Sequence, residues 1–430
     1  MTSQTIMKHS LRMTAAALCT SVGLLVAPSA KAAVWIDTNS WSNEWEERYA
    51  LWVEEEFHSR IFIDGRYGKI ATDCADAVYA ARLIFAYENK LPFVFSNGSG
   101  LTTNRTSAFD SASEGTARVK RFLFSVFEQT STKTLPRDTY PVAINRNTIR
   151  AGTVWLRPSR EAELSLLRLF GGKKQEPGHT DTVKSVSNEG ILTLIGSTVP
   201  AQVRELKEVT DFFIMPEKNA ETGLRNWKWP EHYKMSISSL PGYSLEQYEM
   251  GQTQNSAAMQ DGIGAQGGAS ARTLPNWAND VKSKLALSSE SKGAYLARLA
   301  KNFCALVKDR VSVVASGENL RKKLGGSCMS YSQWDSYSTP GRDQMIMKSL
   351  KKLVSEANFF GFLTRGGIEK TRPYLEKCGT LEYMPGRTAD YLELAHRYAD
   401  DRISSDPNHP IEARWGEMQK PQSVCKYKED

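Results

Sequence analysis

Beyond residue 26 this 430-residue chain has no apolar run approaching the roughly 18 residues that a membrane-spanning helix requires. It has no long Lys/Arg block either. Its charged residues, 24% of the total, are dispersed, which leaves nucleic-acid binding without support. No metal-ligand spacing, phosphate loop or internal repeat occurs, so neither a metal nor a cofactor is expected. Histidine and cysteine are scarce, at six each. Any nucleophilic or acid–base chemistry must therefore be assembled from a short roster of residues.

What is present begins with Lys8 and Arg12 ahead of an apolar run from about Met13 to Val26, followed by Ala30-Lys31-Ala32 before Ala33. A basic segment, an apolar segment and a small-x-small site read as a Sec-type signal peptide covering 1–32. Leu18 before Cys19 is too large for a lipidation site. A bacterial protein of the periplasm or the extracellular space is expected. Removing 1–32 takes away Lys8, Arg12 and Lys31 and no acidic residue, lowering the formal charge from +7 to +4. That mild excess suits solubility better than a polyanionic partner.

Five cysteines remain, and four of them, Cys304, Cys328, Cys378 and Cys425, lie in the C-terminal third. In an oxidising compartment these four would form two disulfides by any of three connectivities, of which Cys304–Cys328 with Cys378–Cys425 closes the shortest loops. Cys74 is left over. It sits in Thr72-Asp73-Cys74-Ala75-Asp76, where Asp73 and Asp76 have the spacing of a capping box and Ala77, Val78, Ala81, Ile84 and Phe85 recur at helical spacing. Cys74 is thus expected as the first residue of a helix, where unsatisfied N–H groups and the positive dipole end favour a thiolate.

A thiolate nucleophile needs a base, and the candidates are His58, His179, His232, His396 and His409. His179 opens an alternating β-branched run to Val186, turned at Ser187-Asn188-Glu189-Gly190 into a second strand, Ile191 to Ile195. Gly152 to Leu156, Val209 to Met215 and Leu224 to Trp229 read as three more strands. The fold class is α+β: a helix carrying the nucleophile, packed on a five-stranded antiparallel sheet or barrel.

Asp-Cys opening a helix, then Gly152-Thr153-Val154, then Gly178-His179 opening the next strand resembles the pattern of the NlpC-type papain-like cysteine peptidases and amidases. The match spans about Tyr67 to Trp229, in pattern more than in letters. Ala75 and Asp76 replace the family's small pair after the cysteine, Thr153 replaces its usual Asp, and the stretch between the first two strands is longer. The resemblance implies a papain-like domain in which Cys74 attacks a peptide or amide carbonyl with His179 as general base and acid. It also implies peptidoglycan stem peptides, or another envelope peptide, as substrate. A third polar residue is implied on the strand after the histidine. Counting around the turn at Glu189 sets Asp181 opposite Ser197, which makes Ser197 the first choice, with Asp181, Thr193 and Asn226 behind it. Tyr67, Asp73 and Trp155 are the candidate substrate-binding residues.

Ahead of this unit, Asn43 to Phe57 reads as an amphipathic helix with Asn43 and Glu46 as a capping pair and Trp45, Tyr49, Trp52, Val53 and Phe57 on one face, a stripe expected to pack in the core, with a carbohydrate-stacking platform as the alternative. The domains expected are a catalytic unit over 33–247, a Gly/Gln/Ser-rich linker over 248–275 and a helical, disulfide-stapled accessory domain over 276–430. His409, within Asp406-Pro407-Asn408-His409-Pro410, is expected to be structural. Wall binding, docking of a protein partner and self-inhibition are all compatible with the accessory domain. A non-enzymatic envelope adaptor with an inert, buried Cys74 is the competing expectation.

Overall fold

The computed structural model describes residues 33–112, 115–158, 160–162, 174–176, 178–210, 215–252, 272–358, 363–422 and 425. The segment expected to be a signal peptide, 1–32, and most of the Gly/Gln/Ser-rich stretch, 253–271, lie outside the described residues. The architecture is mixed α+β, with its strands in antiparallel sheets and its longest helix in the C-terminal third. Among the described residues no helix is long and apolar enough to cross a membrane.

Two helices build the first layer. Helix α1, Asn43–Glu55, is capped by Ser42, whose side chain accepts from the Trp45 backbone N–H, so the cap lies one residue before the expected Asn43. Glu46 is engaged elsewhere, since both its carboxylate oxygens meet the Arg82 guanidinium, at 2.6 and 3.0 Å. The aromatic stripe of α1 packs inward, with Tyr49, Val53 and Phe57 buried and Trp45 and Trp52 against the same cluster. Helix α2, Cys74–Glu88, is apolar nearly all round, and every residue from Cys74 to Ala86 is buried. A helix of that kind belongs at the centre of a domain. Helix α3, Thr116–Gln129, packs beside it through Val119, Phe122, Leu123 and Val126.

Among the described residues the main sheet has six strands rather than five: β1 (Thr139–Pro141), β2 (Val154–Arg157), β3 (His179–Val186), β4 (Leu192–Gly196), β5 (Lys207–Thr210) and β6 (Gly223–Trp227), in the order β1-β6-β2-β3-β4-β5. The extra strand, β1, is too short to show a period in sequence. One face, through Val154, Leu156 and Ile195, packs on the cluster around α2. The other, through Trp155, Val183, Leu192, Leu194 and Leu224, is covered by helix α4, Leu274–Leu285, with Trp277, Val281 and Leu285 buried against it. α4 therefore completes the first unit, although part of it falls in the expected linker and the rest in the expected accessory domain. The Gly190 turn presses so closely on α4 that a Cβ there would lie 2.1 Å from the Lys282 carbonyl oxygen.

The C-terminal unit is mostly helical, as its periodicity indicates: α5 (Lys292–Lys323), α6 (Pro340–Ala357) and α7 (Tyr391–Ala399) share one core, joined by a small hairpin of Thr380–Met384 with Arg387–Asp390. Its cysteines pair Cys304–Cys378 and Cys328–Cys425, not in the shortest-loop arrangement. Shortness of loop did not decide the pairing; α5 runs from Cys304 almost to Cys328 as one rigid helix and holds those two apart. His409 lies in an ordered turn, its Nδ1 2.7 Å from Ser404 Oγ.

Candidate functional site

The site begins at the cap of α2. The Asp73 side chain accepts from the Asp76 N–H at 3.0 Å while the Asp76 carboxylate accepts from the Asp73 N–H at 2.9 Å, a reciprocal box. The Ala77 N–H meets the Asp73 carbonyl. The two remaining first-turn donors are the Cys74 and Ala75 N–H groups, which have no intrahelical acceptor and lie beside the sulfur. Cys74 is unpaired and 5% exposed. Asp73 is thus a capping residue, and that role uses its carboxylate.

His179 opens β3 opposite Arg157 of β2. Its Nε2 lies 3.0 Å from Asp181 Oδ2, and Cys74 is close enough to act on the charge of the ring. Partial burial alone would pull the imidazolium down. The charge and hydrogen bond of Asp181, and then the contact with Cys74, outweigh it and raise His179 to about 10. With Nε2 committed to the carboxylate, Nδ1 is the nitrogen left for the sulfur. Alternation along a strand puts residues two apart on one face, and this is why His179 and Asp181 meet.

Ser197 is bonded away from the imidazole. Its Oγ donates to the Thr72 carbonyl at 2.8 Å, so the carboxylate of Asp181, not the expected hydroxyl, stands at the ring. The displacement has a definite origin. Near the hairpin turn the register is Val186↔Leu192 and Ser185↔Thr193, but a bulge follows, and the pairing resumes as Val183↔Leu194 and Thr182↔Ile195. The slip sets Asp181 opposite Gly196. A Cβ on Gly196 would lie 2.0 Å from Asp181 Oδ1, so the carboxylate occupies space that only glycine leaves open. Thr193 instead faces Thr210, and Asn226 bonds Thr153 and Thr148.

The other expected contacts fall away for reasons of burial. Tyr67 is 6% exposed, with its hydroxyl donating to Glu88 Oε1, and Trp155 is 2% exposed against Trp277. Both are core residues. A loop that sequence reasoning did not single out lies against the segment leading to Cys74. After β4 the chain is clasped to the segment preceding the cysteine by reciprocal Thr72–Gln202 backbone bonds, and it presents Val199 and Val203 at 62% and 49% exposure.

Asp76 is the second titratable group at the cap. Burial above all, opposed by the Asp73 N–H and reinforced by the Asp73 charge, raises its carboxyl to about 7. Fold and site together define an α+β protein with a buried thiol at a helix N-terminus, beside a carboxylate-oriented histidine. No protein-family model matches the chain, and neither a curated protein nor a solved structure matches it.

Proposed function

We propose that the protein is a cysteine hydrolase of peptide or amide bonds, a divergent member of the NlpC-type papain-like superfamily. The single observation carrying this reading is the Cys74–His179–Asp181 cluster at the start of α2. His179, favoured as imidazolium across the neutral range, puts a positive charge beside the sulfur, and a thiolate there is the attacking species of this reading. The thiolate sulfur adds to the carbonyl carbon, and the oxyanion is met by the Cys74 and Ala75 N–H groups; removing one such donor elsewhere costs about 10²–10³ in rate. The C–N bond then breaks as His179 gives its proton to the leaving nitrogen. Neutral His179 next takes a proton from water, hydroxide opens the thioester, and the acid product leaves with thiolate and imidazolium restored. Asp181 holds the ring through Nε2 throughout.

Stem peptides of peptidoglycan are the substrate the family resemblance implies. The apolar run before residue 33 and the two disulfides fit an exported protein. The adaptor reading is favoured by one observation, the 5% exposure of Cys74. Iodoacetamide alkylation of the disulfide-intact protein against pH, with the labelled residue located by mass spectrometry, separates the two. Fast labelling of Cys74 at about pH 6, collapsing in His179→Ala, is the expected result, since an ordinary thiol of pKa about 8.5 hardly reacts there. Slow labelling that ignores the histidine would leave the adaptor.

A further inference from the structure

A cleft of about 700 Å³, within the range of about 300–1,000 Å³ usual for small-molecule sites, opens at the opposite end of the sheet from His179. Thr153, on its wall, lies four positions along the chain from the Arg157 that pairs with His179, about 13 Å of strand. Glu46, also on the wall, is held by Arg82, eight residues or about 12 Å of helix from Cys74. The cleft is therefore a place of its own, and the hydrolase reading does not use it.

Its wall contains two kinds of polar group. Thr148, Thr153, Asn226, Arg146 and Glu46 are fixed by bonds within the fold. Among the described residues, the side chains of Asn43, Glu47, Asn147 and Arg150 make no hydrogen bond or ion pair, and all four line the cleft. That free set holds one anion, one cation and two amides, so it offers donors and acceptors in balance and no net charge. Trp229 adds an apolar ring, stacked on His232 at 4.8 Å, with its Nε1 held by Glu46 Oε1 at 2.6 Å. A pre-positioned indole flanked by neutral-in-sum hydrogen-bonding groups matches a ligand that carries hydroxyls around apolar C–H faces.

We propose that this cleft binds a neutral or N-acetylated oligosaccharide, with Arg150, Glu47 and Asn147 meeting its hydroxyls and Trp229 its ring face. The inference stands whether or not Cys74 is catalytic. Calorimetric titration of the full chain with chitotriose and with maltotriose tests it. Saturable binding of at least one trisaccharide is expected, weakened about tenfold or more in both Arg150→Ala and Glu47→Gln and unchanged in Cys74→Ala. Circular dichroism of each variant checks that the fold is kept. Failure of both trisaccharides to bind overturns the proposal, as does binding indifferent to both cleft variants. Binding lost in Cys74→Ala would move the sugar to the other site and overturn it equally. A response to inorganic phosphate alone would make Arg150 an anion site and exclude the neutral-sugar class.

Discussion

At the scale of single residues, the orientation of His179 depends on a carboxylate lying over a glycine. Replacing Asp181 by Asn keeps the side-chain shape and removes the charge that raises His179, so the imidazole should titrate well below 10, as read by NMR of its ring protons. Gly196→Ala should do the same without touching the carboxylate, because the new methyl group occupies its place. Stability carries the same signature. His179 has a folded pKa of about 10, above its ordinary 6.5, so its contribution is complete below 6.5 and disappears as the pH rises through 10. Asp181→Asn should flatten unfolding curves over that alkaline window. Asp76 acts in a lower one: raised from 3.8 to about 7, it favours the fold when protonated and opposes it once ionised. Asp76→Asn, which retains an acceptor for the Asp73 N–H, should raise the melting temperature relative to wild type at about pH 8 and not at about pH 4. The Asp73/Asp76 cap was legible in the sequence because a capping box is local. The partner of His179 was only half legible: Asp181 is among the candidates, but the count around the turn ranks Ser197 first, because a bulge shifts that count by one residue and leaves no mark on composition.

At the scale of elements, α1 and α2 are joined by one buried ionic contact. Arg82, 3% exposed, lies between Glu46 and the faces of Trp41, at 3.3 Å, and Tyr49, at 4.8 Å. Removing the carboxylate strands a buried guanidinium and unbinds Trp229 Nε1, so Glu46→Ala should cost about 3–5 kcal/mol in urea denaturation. Glu46→Gln, with its amide oxygen still able to accept, should cost less. Helices α1 and α2, the helical C-terminal unit and the long strands were readable from periodicity; helices α3 and α4 were not read from the sequence, nor were β1 and the hairpin Thr380–Met384 with Arg387–Asp390, whose short segments show no period. Trp155 and Tyr67 illustrate a related limit. An aromatic near a motif in sequence is placed by the face it occupies, and here both faces are interior.

At the scale of the whole molecule, the two units meet through charge: Lys207 pairs with Asp309 at 2.7 Å, and Glu205 accepts from Arg60 at 2.6 Å and faces Lys308 at 3.9 Å. The covalent links, Cys304–Cys378 and Cys328–Cys425, stay within the C-terminal unit. The seam between units was misplaced in the sequence because composition marks where a chain loses bulky residues, and α4 lies past that stretch yet belongs to the earlier core. A chain shortened after residue 252 should accordingly bind a hydrophobic dye and aggregate, whereas one shortened after residue 287 should remain monomeric by light scattering.

The helix α4 also decides how the protein would behave when broken. Its Trp277, Val281 and Leu285 are a loan from the second half of the chain to the first, covering Trp155, Val183 and Leu192. A backbone cut within 253–271 would therefore yield a complementing pair, two fragments that co-purify and separate only in denaturant.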